Sequence, residues 1–170
     1  MSNINTVFND KIPMPKLLAD FLQWADQFDY GQLGYFEFES DTLDDNWIEN
    51  GSQLANQFAI WLRLGDGSMI GFWRPEHFND DILPVVLLGS EGEVEVLGES
   101  LEDFLYKWGN DGDFENVYDL MPNGDDDTEY KHHLLLEWLN DNNITCPKVD
   151  NPIKTEQLQQ FFDDWQSKNA

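Results

Sequence analysis

Carboxylates dominate any search of this sequence for chemistry, with 34 Asp and Glu against 9 Lys and Arg, a formal charge of −25 over 170 residues. Two carboxylates about 5 Å or about 9 Å apart are the machinery of glycoside hydrolysis. So dense a supply places some pair at either spacing by abundance alone, and the pattern therefore selects no residue. Asp111-Gly112-Asp113-Phe114-Glu115 begins like a calcium loop, but Asn116 falls where an EF-hand needs Gly and Pro122 where it needs Glu. The run Asp125-Asp126-Asp127 has the charge for loose cation binding and equally for a solvated helix cap. His132 and His133 are adjacent, about 100° apart on a helix, and neither has the i, i+4 partner of a helical zinc pair. His77 and Cys146 are too isolated to define a nucleophile and its base. Gly65-Asp66-Gly67 lacks the Lys and the following helix of a phosphate-binding loop. No catalytic residue, metal ligand or cofactor is expected, and the chain reads as a binding protein.

The acids are interleaved with seven Trp and twelve Phe, so they belong to a folded body and not to a disordered tail. A field of this sign attracts cations and basic proteins and repels phosphate. Arg63 and Arg74 are the only Lys or Arg between Lys16 and Lys107, which leaves no basic stripe for nucleic acid. Nucleic acid, membrane and acidic substrates are therefore set aside as partners. The lone Cys146 fits a reducing compartment. The opening MSNINTVFNDKIPMPK has no apolar core of a signal peptide, and no stretch approaches the ~18 apolar residues of a membrane span. A cytoplasmic location is expected.

Several elements must position these side chains. Pro15 can open a helix over 15–28 with Leu17, Phe21, Trp24 and Phe28 as its stripe, stopped by Gly31 and Gly34. Residues 33–40 alternate Phe36 and Phe38 with Glu37 and Glu39, the period of a half-buried strand. In 56–64 the same period puts Phe58, Ile60 and Leu62 on one face and Ala59, Trp61 and Arg63 on the other. Asp66-Gly67 before SMIGFW predicts a hairpin with a primed turn. PVVLL from Pro84 reads as a strand buried on both faces, and after the turn Gly89–Gly92, EVEVL sends Val94 and Val96 inward and Glu93 and Glu95 outward. Ser100 caps a helix carrying Leu101, Phe104, Leu105 and Trp108, with Gly109 as its stop. A polar loop over 110–128 and helices near 129–141 and 154–166 complete the chain.

The order FAIWLRLGDGSMIGFW, a variable segment, then PVVLLGSEGEVEVLGESLEDFL resembles the core of the SMI1/KNR4 (SUKH) superfamily over residues 15–109. The resemblance implies an α+β fold: a bent, mainly antiparallel sheet of about five to six strands packed against helices. Residues 110–170, an acidic loop and a C-terminal helical extension, lie outside the match but within one domain spanning 1–170. Bacterial members of that superfamily are immunity proteins that neutralise a cognate polymorphic or contact-dependent toxin, often a nuclease, whereas fungal members act in cell-wall signalling. The resemblance thus implies a non-enzymatic role, and it transfers no residue-level site.

Charge and resemblance together lead to the expectation of a monomeric immunity protein that masks a basic nuclease toxin. The alternative is a scaffold or regulator that binds some other basic protein. The candidate contacts are loop acids: Asp80 and Asp81 before the buried strand, Glu91 and Glu93 at its turn, and Asp111, Asp113, Asp125, Asp126 and Asp127 in the unmatched segment.

Overall fold

Short runs of apolar and β-branched residues, joined by tight Gly-containing turns at 65–67 and 89–92 and by longer segments elsewhere, pair antiparallel with their chain neighbours in a five-stranded meander. The computed structural model describes residues 4–110, 114–117, 120 and 131–169. The strands are β1 (Phe36–Glu37), β2 (Phe58–Leu64), β3 (Met69–Trp73), β4 (Val85–Leu88) and β5 (Val94–Gly98), in spatial order β1-β2-β3-β4-β5. The helices are α1 (Lys16–Ala25), α2 (Leu101–Gly109), α3 (His133–Asp141) and α4 (Thr155–Asn169), with 3-10 turns at Ile4–Val7 and Gly51–Gln57. The α+β class follows directly.

Both faces of the sheet are covered. Ala59, Trp61, Leu62, Ile70, Phe72, Val85, Leu87 and Leu97 face a core filled from Phe21 of α1, Phe104, Leu105 and Trp108 of α2, and Leu135 and Leu139 of α3. Phe58, Ile60, Met69, Trp73, Val86, Leu88 and Val94 face a second core closed by Leu43, Ile48 and Leu54 together with Leu158 and Phe162 of α4. The C-terminal helix is therefore no appendage, because it seals the second face of the sheet. The continuous apolar run of β4 follows from this arrangement, since each of its four residues is buried, two toward each core.

Two bulges change the expected side-chain facing. Ile60 pairs with Gly71 while Leu62 pairs with Ile70, so Trp61 is an extra residue in β2. From that point the alternation inverts, and Leu62 joins Ala59 and Trp61 in place of Phe58 and Ile60. Gly71 permits this: a Cβ there would run into the Ala59 carbonyl oxygen and lie 2.6 Å from the Ile60 Cα. A second bulge leaves Leu97 between the pairs Val86–Val96 and Val85–Gly98.

The hairpin turns also differ from the primed type. Gly67 N–H donates to Leu64 O at 3.0 Å, Leu64 N–H to Ser68 O at 2.9 Å, and the positive φ falls on Gly67 (92°) and not on Asp66. This is a three-residue loop ending on a left-handed Gly. The β4–β5 turn repeats it, with Gly92 N–H to Gly89 O at 3.0 Å and Gly92 at φ 91°. The fully buried Ser68 joins the two loops, its Oγ accepting from the Ser90 N–H at 3.1 Å.

At the helix ends, α1 stops at Ala25, six residues before Gly31, and Pro15 is its N-cap, outside the first turn. Ser100 caps α2 as expected: its Oγ accepts from Asp103 N–H at 3.1 Å, and the Asp103 carboxylate accepts from Glu99 N–H at 2.9 Å. A cap of this kind is worth about 1 kcal/mol.

Candidate functional site

Catalytic chemistry would require titratable groups brought together in a hollow. Among the described residues no group of three or more His, Cys, Asp or Glu is placed to hold a metal ion. His77 is exposed with Glu76 4.0 Å away, and His132 instead directs a ring nitrogen at the Trp108 carbonyl at the end of α2. The exposed Cys146 thiol is pushed up by partial desolvation, then by Asp103 and Glu102, which outweigh Lys107, so it is a weakened nucleophile.

The four candidate contact acids among the described residues do not form one patch. Asp80 and Asp81 lie before β4 and Glu91 and Glu93 beyond its other end, so the two pairs sit at opposite ends of the sheet. Asp111, Asp113, Asp125, Asp126 and Asp127 lie outside the described residues. Two of the described four have local work as well. Asp80 accepts from Ile82 N–H at 3.0 Å, and Glu93 accepts from Glu91 N–H at 3.1 Å while its stem packs where Gly89 leaves room. Asp81 lines a hollow of about 380 Å³ together with Arg74, Leu83, Leu101, Glu102 and Pro147.

Glu95, assigned outward by its alternation with Val94 and Val96, is 7% exposed. It projects into the α2 side of the sheet, where Oε1 accepts from Asn116 N–H at 2.9 Å and from Asn116 Nδ2 at 3.1 Å, and Oε2 accepts from Glu115 N–H at 3.2 Å. Its partners are amides, and no cation reaches it among the described ion pairs. A buried carboxylate is tolerated when donors saturate it. Here it anchors the chain at 115–116 beside edge strand β5, whose Val96 N–H is taken by Thr155 Oγ1 at 2.9 Å. One exposed donor on this edge of the sheet is thereby paired.

A second hollow, of about 280 Å³, was not foreseen from the sequence. It opens where α1 ends and the chain turns into β1, and Ile4, Leu22, Leu33 and Phe36 give it an apolar lining flanked by Phe28 and Phe38. Asp26, Asp29 and Glu37 stand on its rim, all exposed, with Tyr30 beside them. Tyr30, at 59% exposure, is the one large hydrophobic side chain exposed among the described residues. No Lys, Arg or His is among the lining residues. The sequence places here only a helix end at 28, the stops Gly31 and Gly34 and a strand from 33, while the one local signal of the hollow is an aromatic at 30 between Asp29 and Gly31.

No protein-family model, curated protein or solved structure matches the chain. No helix among the described residues is long and apolar enough to cross a membrane.

Proposed function

We propose that this is an immunity protein, which binds a cognate polymorphic or contact-dependent toxin, a basic nuclease, in the cytoplasm and masks it with an acidic surface. The observation that carries the reading is the charge excess that folding leaves unneutralised. Against a formal −25, the described residues make Lys or Arg ion pairs at Lys16–Asp20, Arg63–Asp41 and Lys107–Asp103 only. Exposed pairs of this kind are worth about 0–1 kcal/mol, so the field is not held for the sake of stability.

Like charges at this density oppose compaction, and a field this strong steers a basic partner into encounter. A nuclease needs a basic groove for phosphates, and carboxylates can occupy the same groove. The resemblance of residues 15–109 to toxin-neutralising proteins supports the same reading.

The test is co-expression with the toxin domain encoded in the neighbouring reading frame. Rescue of growth and co-purification of a complex are expected. Survival unchanged by the protein refutes toxin antagonism, and a complex with a basic protein that confers no rescue assigns the scaffold or regulator role instead.

A further inference from the structure

We infer that the hollow between the end of α1 and β1 is the seat for an arginine side chain of the partner. The inference rests on the reading that the partner is a basic protein, and it names the chemistry of one contact. At about 280 Å³ the hollow is just smaller than the range, roughly 300–1,000 Å³, that encloses drug-sized ligands, so it suits a side chain or two better than a cofactor.

Its lining divides by chemistry. Leu22, Leu33 and Phe36 offer an apolar surface to a methylene stem, and the rim offers Asp26, Asp29 and Glu37 to a charged head. The C-terminus of α1 adds to this polarity, because its last turn carries no basic residue to offset the helix dipole, about half a negative charge. Neighbouring cations are engaged or lie outside the lining. Arg63, across the strand from Glu37, has its guanidinium 3.4 Å from Asp41, and Lys131, whose backbone N–H donates to Gln32 O at 2.8 Å, is not among the lining residues.

Apolar floor, anionic rim and an exposed ring describe a receptor for a long stem with a planar cationic head. Arginine fits all three: its stem lies against apolar surface, its fork takes a carboxylate through two parallel bonds, and its plane stacks on an aromatic face. Lysine supplies only a stem and a point charge. Tyr30 is then an anchor of the kind that carries binding energy at interfaces, and its exposure in the free protein is explained by what covers it in the complex.

The experiment titrates the full-length protein, labelled with ¹⁵N, with three blocked tripeptides, Gly-Arg-Gly, Gly-Lys-Gly and Gly-citrulline-Gly, and follows amide shifts. Shifts confined to residues 22–38 with Gly-Arg-Gly are expected, weaker binding with lysine, and loss of about tenfold or more with citrulline, which keeps the shape without the charge. Tyr30→Ala should weaken the arginine probe about two- to fivefold, and Asp29→Asn with Glu37→Gln should weaken it further. All three positions are exposed, and a thermal melt of each variant confirms its fold.

Shifts scattered over the acidic surface, or equal binding of the arginine and citrulline probes, overturn the assignment. The titration needs no toxin, so the two readings fail separately. Rescue of growth with no localised shift refutes the groove alone, while localised shifts without rescue refute toxin antagonism and leave the groove as the receptor of another basic protein.

Discussion

Replacing Glu95 with Gln changes one atom at the centre of a buried network and should destabilise the protein well beyond a surface substitution. The carboxylate accepts three hydrogen bonds, two on Oε1 from Asn116 and one on Oε2 from Glu115. Glutamine can keep its carbonyl oxygen at the Oε1 site and retain the Asn116 pair. Its NH₂ must then face the Glu115 N–H, donor against donor. The loss is one bond to a charged acceptor, about 1.5–3 kcal/mol, plus weakening of the two that stay. Taken as about 2–3 kcal/mol, this lowers the melting temperature by about 4–12 °C for a chain of this size.

Hydrogen exchange at Glu115 and Asn116 locates the effect: both amides should lose protection in Glu95→Gln, while β3 amides keep theirs apart from the global loss of stability. Glu95→Ala should cost more, because the donors are left facing a void. A Gln variant as stable as the parent, with unchanged protection at 115 and 116, would refute the claim that this carboxylate anchors the segment.

Gly71→Ala should cost about 3 kcal/mol or more, since its Cβ meets the backbone at Ala59 and Ile60, which cannot move without opening the β2–β3 pairing. Gly92→Ala is the control, with nothing within 4 Å and only the strain of φ 91°, about 1–2 kcal/mol; chemical denaturation of the pair checks the order, and equal losses would contradict it. Cys146 should alkylate with a pH midpoint above that of the urea-unfolded chain, because its thiol is pushed up and the reactive thiolate forms later as pH rises; a folded-state midpoint at or below the unfolded one would contradict this.

What the sequence revealed follows the reach of each signal. The β4 run, the Ser100 cap and the α2 stripe depend on residues within a turn or a strand of each other, and the structure reproduces them. The Leu62 facing failed because a period of two assumes no inserted residue. The glycine in the middle of β3 was the available warning, since a strand-centre Gly commonly marks a bulge or close backbone approach. Glu95 failed for a different reason: its alternation is intact, but the face it points to is buried, and its donors arrive twenty residues later from a polar stretch that no periodicity flags. The acidic loops were read as contact sites by composition, which has no information on position, and the described members fall at two ends of the sheet. The groove at Tyr30 draws on Ile4 as well as on 22–38, and a linear reading does not bring those segments together.

A sheet buried on both faces divides the chain into two classes of position with separate tolerances. Strand residues such as Val85, Val86, Leu87 and Leu88 answer to close packing on one side or the other, and any change there is felt as a packing defect. Exposed rim residues such as Asp26, Asp29 and Tyr30 sit on turns and a helix end, where a new side chain alters what the surface attracts at little cost to the core. The charge and shape that this rim presents can therefore be changed while the scaffold stays still, because the positions that set them are not the ones that fill the two cores.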